Sequence, residues 1–515
     1  MIQHSDMSVP TSMPNHSGQF RVIIAGAGVA GLAISHALQQ AGIDHVVLEK
    51  GIVAPAWGAS ISLWGNGSRL LSQIGVLDAL EAECVPLKVL HARSPSGQAF
   101  SEEAFFDMMK ERNGFECITM ERRKFLQIIY DKLVDKSRIQ TGRKVVDVID
   151  SEDGIEVKLD DGTSEYGDIL IGCDGVHSQV RELMWRNANR LCENYISADE
   201  KRSLITTYNS LIGVAKTIPG LGTRDMHWVC HTGLSFLILT QPDQTYFFVN
   251  WKMPQQMRYP TKAKWSVDEA EKAAQSVAEL PISDSVLFGE LWKNKVRGHL
   301  IGLEEGTFDH WHYGRIALVG DSVHKVTPNF ALGANCALES SAALLNEIYC
   351  LQKNLKPGER ASRLAISTAF QRYQESRKPR MKVASDASAL LTRLQACDGP
   401  LNHFIMRYVF PVQGQAAYAD KLAELCCGAP KFDFLRVNYR LPATFPWKDE
   451  PVRKLIGFDG GLKSKPAKRG IAIELASLMA LVFLIFLVFE SGSDSSLSTG
   501  SLAAELKFVK QIQCE

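Results

Sequence analysis

Residues 20–40 read FRVIIAGAGVAGLAISHALQQ, and the reading of this stretch decides the fold. Arg21-Val22-Ile23-Ile24-Ala25 is a short apolar run that predicts a strand. It runs into the glycine turn Gly26-Ala27-Gly28-Val29-Ala30-Gly31, followed by an apolar-periodic helix over 31–40. A second strand, His45-Val46-Val47-Leu48-Glu49, ends in a carboxylate eighteen residues beyond the last glycine. This is a βαβ opening with the spacing of a dinucleotide site. The glycines permit a tight turn and let backbone N–H groups at the helix N-terminus approach a pyrophosphate, while Glu49 is placed to accept ribose hydroxyls. The motif alone does not choose between FAD and NAD.

Farther along, strands are predicted at 145–150 and 155–159, joined by Glu152-Asp153-Gly154, and continuous apolar strands at 168–173 and 315–320. Fully apolar strands belong to a parallel sheet covered on both faces. Long helical patterns follow at about 333–351 and from Pro357 to about 395. Between these, 204–251 is rich in Thr, Tyr, Phe and Val with broken alternation, which predicts a mostly antiparallel sheet inserted at about 185–300. Such a sheet would wall a substrate cavity.

Two further motifs follow apolar strands. One is Gly172-Cys173-Asp174-Gly175-Val176-His177-Ser178-Gln179-Val180-Arg181, whose Asp-Gly could also be an ordinary turn. The other is Gly314-Arg315-Ile316-Ala317-Leu318-Val319-Gly320-Asp321-Ser322-Val323-His324, followed by Pro328 and by Leu332-Gly333-Ala334-Asn335 opening a helix. A carboxylate just after a buried strand can hold ribityl hydroxyls. A helix N-terminus can set N–H groups and a positive dipole against the flavin edge that gains negative charge on reduction.

Together the three motifs resemble the fingerprints of the group A flavin monooxygenases, which share the fold of para-hydroxybenzoate hydroxylase. The resemblance covers about 20–380, including Tyr373-Gln-Glu-Ser-Arg-Lys-Pro-Arg380. Glu121-Arg122-Arg123-Lys124-Phe125-Leu126, Gly58-Ala59-Ser60-Ile61, Asn66-Gly67 and a C-terminal apolar segment are similar to the fungal members of indole-diterpene and meroterpenoid biosynthesis. The resemblance implies an α/β fold: an FAD-binding Rossmann-like three-layer domain with an inserted, mostly antiparallel substrate-binding sheet. It implies that Glu49 holds the adenosine ribose, Arg122 the FAD phosphates, Asp321 the ribityl chain and Ala334, after Gly333, the isoalloxazine. Arg123 could stand in for Arg122. Asp174 would matter to both FAD and NADPH, and Tyr208 aligns loosely with a substrate-sheet tyrosine of the active site. His324 could simply satisfy a backbone carbonyl. Two departures touch the loop geometry: Phe330-Ala331-Leu332-Gly333 stands where the family tends to more glycines, and Glu339 where Asp is usual.

The implied activity is that of an FAD-dependent monooxygenase using NADPH or NADH and oxygen, with epoxidation of an isoprenoid alkene favoured over aromatic hydroxylation or Baeyer-Villiger oxidation. The redox chemistry belongs to the cofactor, so the protein needs a dry apolar pocket more than an acid-base pair. The Trp-x-Trp-x-Ile-Pro signature of flavin halogenases is absent, since no two of the nine Trp stand two apart. An FAD-linked dehydrogenase and a catalytically silent flavoprotein scaffold are the remaining rivals.

Composition agrees. Lys plus Arg and Asp plus Glu each number 57 in 515 residues, which gives no reason to expect a nucleic acid partner. Eleven scattered cysteines without a C-x-x-C pair fit neither a disulfide framework nor a metal site, and suit a reducing compartment. Residues 1–19 read as a polar tail, 20–458 as the catalytic region and 459–470 as a basic linker. The run 471–489 is apolar except for Glu474 and Ser477, about 28 Å long as a helix, and 490–515 is a tail. Lys463, Lys465, Lys468 and Arg469 precede the run while Glu490 and Asp494 follow it. A single bilayer span with the catalytic region cytosolic, as at the endoplasmic reticulum, is therefore expected. A small prenylated substrate would partition into the same lipid, and a downstream terpene cyclase is the natural partner.

Overall fold

The strand Arg21–Ala25 is the centre of a six-stranded sheet, flanked in register by Asp44–Glu49 on one side and Ile169–Gly172 on the other. The sheet continues outward through Ile139–Thr141 at one edge and through Ile316–Leu318 and His312–Tyr313 at the other. All neighbours are parallel except the last pair, and residues 22–25 are almost fully buried. The helix Val29–Ala41 is buried along its first ten residues, between this sheet and the long helix Leu332–Lys353. The computed structural model describes residues 19–450, apart from 263, 357 and 440.

A second, eight-stranded sheet is antiparallel except where Asp225–His231 runs parallel to Val89–Arg93. Its strands include Ile205–Lys216, Asp225–His231, Leu234–Thr240, Gln244–Arg258 and Lys295–Thr307, and also Val89–Arg93 and Ala99–Glu103 from well before the expected insertion. The broken alternation of its sequence has a physical cause, because both faces are buried. Leu211, Val229, Phe236, Ile238, Phe247 and Val249 pack on one face with Phe288, Leu291 and Trp292 of the helix Phe288–Lys293. Their neighbours Ile212, Trp228, Leu237 and Phe248 point to the opposite face and join the main core.

The 33-residue helix Arg363–Gln395 holds the two sheets together. From the first sheet, the Leu318 carbonyl accepts from the Tyr373 hydroxyl at 3.0 Å. Lower down, Thr327, Ser388 and Thr392 form a buried chain of hydroxyls, and Asn329 Nδ2 donates to Gln395 Oε1 at 2.6 Å. This ladder pins the loop 326–331 in front of the helix Leu332–Lys353. Among the described residues no helix is long and apolar enough to cross a membrane. The apolar run 471–489, with its linker and tail, lies outside the described residues, as do residues 1–18 of the N-terminal tail.

Candidate flavin and substrate site

The three glycines of the first motif do different work. Gly26 has φ +103°, and a Cβ there would lie 2.6 Å from the Cys173 carbonyl oxygen, so the strand end must be glycine to pass the second motif. At Gly31 a Cβ would meet the Gly26 carbonyl oxygen at 1.9 Å, which fixes how closely helix and turn approach. Gly28 faces open space, with nothing within 4 Å of where its Cβ would be. That opening is the start of a cavity of about 320 Å³ running from the helix N-terminus to the second sheet.

Gly28, Arg122, Asp321, Gly333 and Ala334 meet on one wall of this cavity. Arg122 is packed beneath Gly58, and no carboxylate lies within salt-bridge distance of it among the described residues. Burial lowers its pKa while the Asp321 carboxylate opposes that effect, and a guanidinium keeps its charge regardless. Asp321 stands on the turn Gly320–Ser322 and pairs with Lys325 Nζ at 2.5 Å. Burial works to raise its carboxyl, but Lys325 and Arg122 outweigh it and hold the group below the usual carboxylate range.

The helix Leu332–Lys353 aims its N-terminus into the same space. Ala331 takes φ +52° to start it, filling with an alanine the left-handed position for which glycine is better suited. Asn335 locks the geometry: its Oδ1 accepts the Trp64 N–H at 3.1 Å while its Nδ2 donates to the Ala331 carbonyl at 2.6 Å. Asn335 was visible in the third motif without an assigned task. Phe105, Met226 and Tyr418, which also line the cavity, come from segments with no local motif to mark them.

Three expected residues are placed differently. Glu49 does not line this cavity; its carboxylate accepts the Ala27 N–H at 2.8 Å and the Gly51 N–H at 2.9 Å, clamping the glycine turn to the second strand. Asp174 accepts from Ser178 Oγ and from the N–H groups of Gln179 and Val180, so its carboxylate is committed to the start of the helix Gln179–Leu191. Its neighbours Cys173 and Gly175, rather than its own side chain, touch the cavity. Tyr208 is the clearest correction. It shares a sheet face with Ile212 but lies behind Leu303, and its hydroxyl donates to Asp398 Oδ2 at 2.7 Å, so it is a core aromatic and does not line the cavity. His324 pairs with the Ser340 hydroxyl rather than a carbonyl, and burial holds its imidazole neutral with a pKa of about 3.

An uncompensated arginine beside open helix-terminal N–H groups suits a diphosphate. A second helix N-terminus and a ribityl-length step away carboxylate suit the flavin end, so these residues fit FAD. The profile of the FAD binding domain family matches residues 19–387. The chain belongs to this FAD binding domain family. Within it the chain is 39% identical over 426 residues to FAD-dependent monooxygenase DEP2 of Alternaria brassicicola, covering 82% of this chain and 80% of that one. It is 35% identical to FAD-dependent monooxygenase penE of Penicillium thymicola, covering 82% of this chain and 89% of the relative. The flavin monooxygenase fold is shared with Klebsiella pneumoniae HpxO complexed with FAD, at TM-score 0.65 and 20% identity over 80% of this chain and 100% of that one. The chain is thus an FAD-dependent monooxygenase of this family, and FAD is its cofactor.

Replacing Arg122 with alanine in this FAD-binding protein removes a charged donor whose hydrogen bonds are each worth about 1.5–3 kcal/mol. Flavin fluorescence titration of Arg122→Ala should show affinity reduced by roughly 10- to 100-fold. An unchanged affinity would place the diphosphate elsewhere.

Proposed function

We propose that this enzyme uses NADPH or NADH and oxygen to place one oxygen atom on a small, apolar prenylated substrate, most favourably as an epoxide on an isoprenoid alkene. The observation that carries this reading is the wall opposite the flavin-side residues. Ile212, Met226, Trp228, Leu237, Leu239 and Phe248 present a continuous apolar surface to the helix end at Gly333 and Ala334. Each CH₂ buried there contributes about 0.8 kcal/mol, so the wall favours hydrocarbon over polar substrates.

Bound FAD supplies the electron transfer and oxygen activation. The chain's own residues bind, orient and dry the site. Arg122 and the N-terminus of Val29–Ala41 offset phosphate charge, and the N-terminus of Leu332–Lys353 favours the anionic reduced ring. Trp64, Phe105, Phe330 and Tyr418 surround the same region with rings and exclude water. At the polar end, Lys325 and Glu304 line the cavity, and Lys50 and Lys262 lie close enough to act on His177, 3.6 Å from Glu304. These cations supply the field a phosphate-bearing nicotinamide requires.

The relatives named above support an oxygenase rather than a dehydrogenase. We infer that the reaction takes place at a membrane, on its cytosolic side, with the product epoxide passing to a cyclising enzyme. Under labelled oxygen gas, one labelled atom should enter the product of a prenylated aromatic or polyene, with NAD(P)H consumed only when FAD is bound. Label taken from water, or equal turnover with an artificial acceptor without oxygen, would overturn the oxygenase reading. Label in a ring hydroxyl or an inserted ester oxygen would overturn only the epoxidase assignment.

A further inference from the structure

Beyond the long helix Arg363–Gln395 the chain forms the short helix Pro400–Phe404, a π-helical turn Ile405–Val409 and the helix Phe410–Cys427, broken at Gly414 with φ +73°. One side of this segment faces inward. Met406 is buried, the Phe410 ring lies 6.2 Å from that of Trp228, and Tyr418 lies 5.6 Å from the same indole. Trp228 and Tyr418 both line the substrate cavity, so the segment is the outer skin of that cavity. Its other side is apolar and open: Tyr408 is 59% and Val412 70% exposed, while Leu401, Ile405 and Val409 are half-buried beside them.

We propose that this outer face of residues 400–412 is a lipid-docking surface through which the enzyme meets its substrate in the bilayer; the second half of that statement rests on the prenylated-substrate reading above. Three observations choose lipid over a protein partner. First, between Asp398 and Asp420 the sequence holds no acidic residue, while the exposed His403 and Arg407 flank the apolar face, the arrangement that suits anionic headgroups. Second, the exposed tyrosine among aliphatic neighbours has the amphipathic character of the bilayer interface. Third, the chain continues beyond Glu450 through a basic stretch to the apolar run 471–489, so the protein carries its own means of reaching a membrane, and a modest patch then suffices. A π-helical turn is rare and marks functional positions more often than chance. Here it lets inward contacts and outward apolar residues share one short segment.

The test uses the full-length protein in phosphatidylcholine vesicles doped with phosphatidylserine. With the photo-crosslinking residue benzoylphenylalanine in place of Tyr408 or Val412, illumination should yield phospholipid adducts at these positions. The same residue in place of Val134, 92% exposed on another part of the surface, should yield none. Adducts at 408 and 412 to a peptide from 451–515 or to a second copy, or an absence of lipid adducts, would overturn the proposal. In parallel, the double variant Tyr408→Asp, Val412→Asp should keep its FAD and its turnover of detergent-delivered substrate. Its KM for vesicle-dissolved substrate should rise about tenfold. An unchanged KM from vesicles would overturn the role in substrate access. Because lipid adducts require no turnover, their failure is separable from a failure of the oxygenase reading, which the labelled-oxygen experiment addresses.

Discussion

Glu339→Ala should lower the unfolding free energy by roughly 3–5 kcal/mol, read as a fall in urea midpoint with the slope unchanged. Glu339 is 1% exposed and accepts from Asn66 Nδ2 at 2.7 Å, Arg377 Nη1 at 2.8 Å and Arg380 Nε and Nη2 at 2.7 Å each. Removing it leaves the fully buried Arg377 and the largely buried Arg380 side by side without a counter-charge. The departure from aspartate noted in the sequence has its reason here, since the extra methylene lets one carboxylate reach two arginines and the helix Gly65–Gln73. Burial works to raise this carboxyl, but Arg380 and Arg377 overcome it and hold it at about 2. Its folded value is below the unfolded one, so its contribution is complete above the unfolded carboxylate range and is lost as pH falls through about 2. The stability gap between wild type and Glu339→Gln should therefore narrow from neutral pH into that acid window. A gap independent of pH would mean that the carboxylate's charge is not what the arginines require.

Gly31→Ala is expected to abolish flavin retention on purification and to weaken FAD binding by about 100-fold or more, as overpacking at a rigid contact does. The new methyl would stand 1.9 Å from the Gly26 carbonyl oxygen, which must move by more than an ångström. Nothing flexible is available to yield, because the neighbours are backbone atoms of a turn whose Gly26 N–H is already bonded to the Leu48 carbonyl at 2.8 Å and whose Ala27 N–H is bonded to Glu49. Gly42→Ala is the control: Gly42 also has positive φ, but nothing lies within 4 Å of its Cβ position. That variant should keep its flavin and lose only about 1 kcal/mol of stability. Yellow, fully loaded Gly31→Ala protein would show that the turn does not set the cofactor's position.

The parts of the fold that were legible are those specified within one short window. The glycine turn, the strands Val145–Asp150 and Ile155–Leu159 and the helix Leu332–Lys353 follow from local periodicity and turn residues, and the structure places them within a residue or two of the reading. What escaped depends on partners far away in the chain. Val89–Arg93 joins the second sheet by pairing with Asp225–His231, and no local pattern announces a parallel partner more than a hundred residues on. Asp174 looked like a cofactor ligand because the motif gives its chemistry but not its satisfaction, and the N–H groups of Gln179 and Val180 had first claim on it. Tyr208 was read on the right face of the right sheet, but the row it occupies is closed by Asp398, 190 residues later.

The second sheet has two faces that answer to different constraints. Stability rests on Leu211, Val229, Phe236, Ile238, Phe247 and Val249, which hold the sheet against its helices, while Ile212, Trp228, Leu237 and Phe248 on the opposite face shape the cavity. Because the two sets alternate along the same strands, a lineage or a mutant library can rewrite every second residue and change what is accepted without disturbing what keeps the scaffold folded. Such a wall is a rewritable template, and diversification of substrate choice within one backbone is the evolutionary behaviour it favours.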